Sequence, residues 1–158
     1  MLVQQLFSPA RIKIGLESDE KDELFEELVE VLARDGGKDF PRQTVIDAIR
    51  EREQKMSTGI KKGIALPHGK VAGISSVMGV LGISRRGIDY SSLDGEPVYL
   101  VFMLISPPNE AELHLGALKL LARLLDDPEF YTELSAAESP EKAFAVIKSF
   151  EDHLTLHR

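Results

Sequence analysis

Cysteine is absent from this 158-residue sequence. Its absence excludes disulfide bonds, thiol catalysis and metal sites built from cysteine ligands. No apolar stretch approaches the roughly 20 residues that a membrane-spanning helix requires. Residues 1–5 carry neither a basic region nor the apolar run of a signal peptide. We therefore expect a cytoplasmic protein that does not insert into a membrane.

Positive charge is also scarce, because 19 Lys and Arg residues stand against 26 Asp and Glu residues and the net charge is -7. Proteins that bind nucleic acids depend on Lys and Arg to neutralise phosphates, so we expect no nucleic-acid partner. An acidic chain suits docking to a basic protein surface instead. The sequence has no internal repeat, low-complexity tract or Ser/Gly linker, and its length predicts a single domain over residues 1–158.

Two helices are predicted in the first third of the chain. Between Ser18 and Gly36, apolar residues follow the i, i+1, i+4, i+7, i+8 spacing of one helical face. These residues are Leu24, Phe25, Leu28, Val31 and Leu32. A second helix is predicted over residues 41–52, and it brings Arg52 and Glu53 to its C-terminal end.

Three strands are predicted next, over residues 63–66, 77–84 and 98–105. The last is an almost unbroken apolar run, typical of a strand that is covered on both faces. Asn109 is expected to cap a following helix, and Pro128 and Pro140 are each expected to open a further short helix. The order of elements predicts an α/β fold, a single-domain three-layer sandwich in which helices cover both faces of a central mixed sheet.

Residues 57–69 form the most informative segment, reading Ser-Thr-Gly-Ile-Lys-Lys-Gly-Ile-Ala-Leu-Pro-His-Gly. The segment predicts that His68 ends a short apolar strand, on a turn made by proline and glycine. An exposed imidazole with a pKa near ~6.5 is substantially neutral, and hence nucleophilic, at cellular pH. We interpret His68 as a reactive group rather than a packing residue.

The sequence resembles the IIA domain of the fructose/mannitol class of the bacterial sugar phosphotransferase system (PTS), the EIIA type-2 domain, including its nitrogen-regulatory branch. The resemblance covers nearly the whole chain. It rests on Arg52-Glu53, Ser57-Thr58-Gly59, the run 64–69, the turn 94–98, the strand 99–105 and the helix start His114-Leu115.

The resemblance implies that His68 accepts a phosphoryl group, as a tele-phosphohistidine, from a histidine phosphocarrier protein of the HPr or NPr type. It implies that His114 orients or stabilises that group, although a histidine on an apolar helical stripe is more often simply half-buried. No cofactor is needed. Arg52 is expected to bind the phosphate, because its planar fork makes two N–H bonds where a lysine offers a point charge.

The roles of Ser57 and Thr58 have two readings with roughly equal support. Their hydroxyl or backbone groups bind the phosphate, or they merely hold the turn. Asp94 and Glu96 are interpreted as parts of a turn between strands rather than as an acid/base pair. His153 and His157 are expected to be solvated, and we expect no metal site.

Two functions share this chemistry. In the first, the chain is a carrier that passes phosphate from His68 to a IIB protein feeding a membrane permease. In the second, phosphorylation switches the binding of a regulatory target protein, since a phosphate adds about -1.5 to -2 charges. A free-standing domain mildly favours regulation. Lys61 and Lys62 replace the Gly-Asn type of pair expected in regulatory members. Three roles are open for these lysines: they raise the occupancy of the phosphate, they attract an acidic partner surface, or they only increase solubility.

Overall fold

Two long apolar strands form the centre of the sheet in a computed structural model that describes residues 2–156. Strand β6 (Val98–Ser106) pairs antiparallel with β5 (Met78–Ile88), with Leu81 opposite Phe102. The remaining strands are β1 (Ile12–Ile14), β2 (Gly59–Lys61), β3 (Ile64–Ala65) and β4 (His68–Lys70). The strand order is β1-β5-β6-β3-β2, and β4 also pairs with β6, parallel to it.

Six helices surround this sheet within residues 2–156. They are α1 (Val3–Leu6), α2 (Lys21–Gly36), α3 (Arg42–Lys55), α4 (Ala111–Leu125), α5 (Pro128–Ser135) and α6 (Pro140–Leu156). Short 3-10 helices precede β1 (Pro9–Arg11) and α4 (Pro108–Glu110). Over the described residues, no helix combines the length and apolar character needed to cross a lipid bilayer.

The core consists of one hydrophobic cluster on each face of the sheet, and β6 contributes to both. Leu100, Phe102 and Leu104 pack with α1, α4, α5 and α6. The alternate residues Val101, Met103 and Ile105 pack with α2 and α3. Because successive side chains of a strand point to opposite faces, a strand buried on both faces must be apolar throughout. The predicted mixed sheet with helices on both faces is confirmed.

The predicted elements differ from the observed ones mainly at their ends. Helix α3 continues to Lys55, about one turn beyond the predicted end, and β5 continues to Ile88. The prediction that Asn109 caps α4 is wrong, because Asn109 lies inside the preceding 3-10 helix and Glu110 occupies the cap position without a side-chain bond. Pro128 and Pro140 begin α5 and α6 as predicted, but only α5 is short, since α6 runs for 17 residues.

Gly69 explains how α3 approaches the strand that carries His68. A methyl group added at Gly69 would lie 3.3 Å from the backbone oxygen of Ala48 and 3.4 Å from its carbonyl carbon. A side chain here would therefore require α3 to move from β4 by a few tenths of an ångström. The close packing places the last turn of α3, with Arg52, next to the start of β4.

Candidate active site

The sequence-predicted residues Arg52, His68 and His114 line one open pocket of about 460 Å³. They come from the end of α3, the start of β4 and the first turn of α4. The other lining residues are Ala48, Glu51, Lys55, Gly69, Lys70 and Leu118. Ser57 and Thr58 do not line this pocket. The pocket therefore brings together three of the five predicted site residues.

His68 is the first residue of β4 and not, as the sequence predicted, a turn residue at the end of a strand. It pairs with Leu104 of β6, and the Leu104 N–H donates to the Pro67 carbonyl over 3.0 Å. Leu66 and Pro67 separate β3 from β4, so the chain continues into a second short strand after the proline. The imidazole is half-buried and held by the sheet.

The ring of His68 is oriented by a backbone carbonyl. Its Nδ1 lies 2.7 Å from the carbonyl oxygen of Leu66, which can only accept a hydrogen bond. The hydrogen of the neutral ring is therefore on Nδ1, and Nε2 keeps its lone pair. Nε2 is therefore the ring nitrogen whose lone pair is free.

The environment keeps His68 neutral. Burial lowers the pKa of His68 below its ordinary value of 6.5, and the charge of Arg52 lowers it further. The Leu66 carbonyl and Glu53 act in the opposite direction, but burial is the largest effect. A neutral ring with a free Nε2 lone pair is the form that attacks an electrophile.

His114 lies beside His68 on the inner side of the pocket. The two ring centroids are 5.4 Å apart, with the planes inclined by 58°. His114 is only 7% exposed, and its Nδ1 lies 2.5 Å from Oγ of Ser106. Burial lowers the pKa of His114 to about 4, and the neighbouring His68 and the charge of Lys70 lower it further. The ring is therefore neutral near neutral pH, and it is buried while also facing the site.

Acid is expected to destabilise the fold through His114. The unfolded ring has a pKa of 6.5 and the folded ring a pKa of about 4, so the unfolded state binds more protons between these values. The free energy of unfolding should fall as pH drops from 6.5. In His114→Gln, denaturant unfolding between pH 6.5 and 5 should show a shallower decline. Equal slopes in the two proteins would contradict the lowered pKa.

Arg52 presents its guanidinium to the pocket from the last turn of α3. Its Nη1 donates to the carbonyl oxygen of Met56 over 3.0 Å, which anchors the side chain. Within residues 2–156 no carboxylate forms an ion pair with it. Its charge therefore remains available to an anion in the pocket.

A buried polar network lies behind Arg52. Glu53 is 7% exposed, and its carboxylate accepts hydrogen bonds from Thr58 N over 2.8 Å, Thr58 Oγ1 over 2.6 Å and Lys21 Nζ over 3.1 Å. The Tyr90 hydroxyl lies 2.7 Å from Thr58 Oγ1 and 3.2 Å from Glu53 Oε1. Burial and Glu53 raise the pKa of Tyr90, so its phenol stays neutral. The network ties the end of α3 to the turn that precedes β2.

These contacts bear on the two readings of Ser57 and Thr58. Thr58 is buried, and both its N–H and its hydroxyl are bonded to Glu53. The Ser57 hydroxyl accepts from the N–H of Gly59 over 3.2 Å. Both sets of bonds support the turn-holding role. The partner Tyr90 was not predicted, because the sequence carries no local signal that links it to Thr58.

Several other residues lie outside the pocket. Lys61 and Lys62 line a separate pocket with Tyr131 and neighbouring residues of α4 and α5, so they do not flank His68. The Asp94 carboxylate accepts from the N–H groups of Lys62 and Glu96, as expected of a turn residue. His153 is exposed on α6.

No cluster of three or more His, Asp or Glu side chains within the described chain is arranged to hold a metal ion. The prediction that His157 is solvated lies outside the described residues.

Comparison with known proteins assigns this arrangement to a family. Residues 5–150 match the family described as phosphoenolpyruvate-dependent sugar phosphotransferase system, EIIA 2. The chain is 38% identical over 151 residues to the PTS system fructose-specific EIIABC component of Bacillus subtilis (strain 168), a match covering 96% of this chain and 24% of that protein. It thus spans about a quarter of that relative's length.

A second relative has nearly the same length. The nitrogen regulatory protein of Bradyrhizobium diazoefficiens is 31% identical over 147 residues, covering 93% of this chain and 95% of that protein. The crystal structure of nitrogen regulatory protein IIA-Ntr from Neisseria meningitidis superposes with a TM-score of 0.84 at 29% identity, covering 92% of this chain and 98% of that one. The chain belongs to the EIIA type-2 family of the phosphoenolpyruvate-dependent sugar phosphotransferase system.

Proposed function

We propose that this protein is a phosphoryl carrier that forms a tele-phosphohistidine on His68. The observation that carries the proposal is the pairing of Nδ1 of His68 with the Leu66 carbonyl, which leaves Nε2 as the free nucleophile in an open pocket beside Arg52. The donor would be the phosphohistidine of a carrier protein of the HPr or NPr type. The transfer needs neither metal nor nucleotide, and we place it in the cytoplasm.

In the transfer step, the lone pair of His68 Nε2 attacks phosphorus and forms a new N–P bond. The N–P bond of the donor breaks, and its electron pair returns to the donor imidazole. The His68 ring keeps its hydrogen on Nδ1 and gains positive character, which the hydrogen bond to Leu66 stabilises. When the phosphoryl group is passed on, the N–P bond breaks and its electron pair returns to Nε2, so that His68 leaves as a neutral imidazole with its hydrogen still on Nδ1.

The charge of the phosphoryl group is spread over three oxygens, so catalysis requires positioned cations and N–H donors. Arg52 supplies a planar pair of N–H donors. His114 supplies a neutral ring whose centroid lies 5.4 Å from the centroid of the His68 ring. Ser57 and Thr58 act indirectly in this proposal, because their bonds hold the turn that follows α3.

Two destinations for the phosphate remain, and each has a relative in its favour. The Bacillus subtilis relative is named as a fructose-specific EIIABC component. That name favours onward transfer to a IIB protein. The Bradyrhizobium diazoefficiens relative is a nitrogen regulatory protein of similar length. That match favours a regulatory target whose binding changes with the charge on His68. We propose the IIB route first and the regulatory route as the alternative.

The test is to incubate the purified chain with phosphoenolpyruvate, enzyme I and a histidine phosphocarrier. We expect the chain to gain one phosphate that is labile in acid and stable in base. A fructose-type or mannitol-type IIB protein is then added to the isolated phosphorylated chain. Loss of the label to IIB supports the first route, whereas a retained label favours regulation. Failure to incorporate phosphate from either carrier type would contradict the proposal.

Arg52→Lys is expected to slow phosphorylation of His68 by roughly 10- to 100-fold, because a point charge replaces a planar pair of donors. The charge itself is kept, so the neutral state of His68 should persist. Single-turnover transfer from the phosphocarrier measures the rate. Arg50→Lys is the matched control, since Arg50 lies on the same helix but pairs with Asp22 and Glu26. An unchanged rate in Arg52→Lys would show that the paired N–H donors of Arg52 do not contribute to the transfer.

A further inference from the structure

Ser106 is the last residue of β6, and it lies beside the site without lining the pocket. It is fully buried, and its Oγ is 2.5 Å from Nδ1 of His114. Its position is fixed by β4, because Lys70 is its partner in the parallel pairing that also sets His68 opposite Leu104. One pair of strands therefore positions both the acceptor histidine and the side chain that contacts the second histidine.

The direction of the Ser106–His114 hydrogen bond follows from the partners available. If Nδ1 of His114 carried the hydrogen, Ser106 would accept it, and the hydroxyl hydrogen would have no other acceptor within residues 2–156. A buried donor left unsatisfied costs about 1–3 kcal/mol. If the hydroxyl donates to the lone pair of a neutral ring, both groups are satisfied. The lowered pKa of His114, about 4, makes that neutral ring available.

The other ring nitrogen of His114, Nε2, faces the pocket. His114 lines the pocket, and Nε2 has no hydrogen-bond partner within residues 2–156. Among these residues the only fully buried side-chain N or O atom without a partner is Oγ of Ser92. Nε2 of His114 therefore reaches solvent, and the pocket is the open space beside it.

We propose that Ser106 is a positioning residue whose hydroxyl holds His114 as the Nε2–H tautomer, so that an N–H group faces a phosphoryl group on His68. The opposite tautomer would turn a lone pair toward negatively charged oxygens, which is repulsive. An N–H group instead donates a charge-assisted hydrogen bond. The catalytic consequence rests on the proposed function, whereas the tautomer is a property of the unphosphorylated protein.

The tautomer is measured directly by long-range ¹H–¹⁵N NMR of the ¹⁵N-histidine-labelled chain near neutral pH, with His114→Gln used for assignment. We expect the wild-type spectrum to show a protonated Nε2 and an unprotonated Nδ1 for His114. In Ser106→Ala the two ¹⁵N shifts should move toward each other as the tautomers mix, and Ser106→Thr, which keeps the hydroxyl, should restore them. His68 should keep its Nδ1–H form throughout.

The matched control is Ser84→Ala, which removes another buried serine hydroxyl of the same sheet and should leave the His114 shifts unchanged. Transfer of phosphate to His68 should slow by roughly five- to tenfold in Ser106→Ala and recover in Ser106→Thr. A hydrogen on Nδ1 of wild-type His114, or unchanged shifts in Ser106→Ala, would overturn the proposal. If the wild type shows the Ser106-dependent Nε2–H tautomer but takes up no phosphate, the proposed function fails and the tautomer assignment stands.

Discussion

His68→Ala is expected to reduce phosphate incorporation to background. Among the described residues that line the pocket, His114 is the only imidazole besides His68, and the chain has no cysteine. His114 is neutral, but its Nδ1 is engaged with Ser106 and the ring is buried. Labelling with phosphoenolpyruvate, enzyme I and the phosphocarrier measures the loss.

Two histidine variants serve as controls for this result. His153→Ala replaces an exposed histidine of α6 and should be labelled like the wild type. His114→Ala should still be labelled, more slowly, and should pass the phosphate onward poorly. Because His68 is only half-buried, His68→Ala should unfold near the wild-type midpoint, which separates lost chemistry from lost folding. Full labelling of His68→Ala would show that another residue accepts the phosphate.

Much of the fold was predictable because its strongest signals are local. The apolar run of β6 is required by burial on both faces, and α2 shows the helical spacing of its buried residues. Strand β4 had no such signal. Its three residues are His68, Gly69 and Lys70, and they form a strand only because β6 offers them a partner. A strand defined by pairing cannot be identified from its own residues.

The composition of the candidate site was predictable in the same uneven way. The motif around His68 pointed to the candidate nucleophile, and the resemblance supplied Arg52 and His114, which line the same pocket. The contacts that orient these groups join residues far apart in sequence, as between Glu53 and Tyr90, or residues in different elements, as between Ser106 and His114. No periodicity or spacing links such pairs. Only the packed fold shows that they meet.

Glu53→Ala is expected to cost about 3–5 kcal/mol of folding free energy, the magnitude found when one partner of a buried charged group is removed. The carboxylate of Glu53 accepts from two groups of Thr58 and from Lys21, and Tyr90 lies within hydrogen-bond distance. Its loss leaves the buried N–H of Thr58 unsatisfied and Lys21 without its counter-charge. Equilibrium urea unfolding measures the change.

Asp47→Ala is the matched control on the same helix, because Asp47 is exposed and bonds only to Gln43 among the described residues; it should change the stability by less than about 0.5 kcal/mol. In the Glu53→Ala molecules that remain folded, His68 should also be phosphorylated slowly. The reason is that Arg52 is adjacent to Glu53, and the Met56 carbonyl that anchors Arg52 lies in the segment that Thr58 holds in place. Normal stability would show that the network is not structural. Lost stability with an unchanged rate per folded molecule would show that Arg52 is positioned by α3 alone.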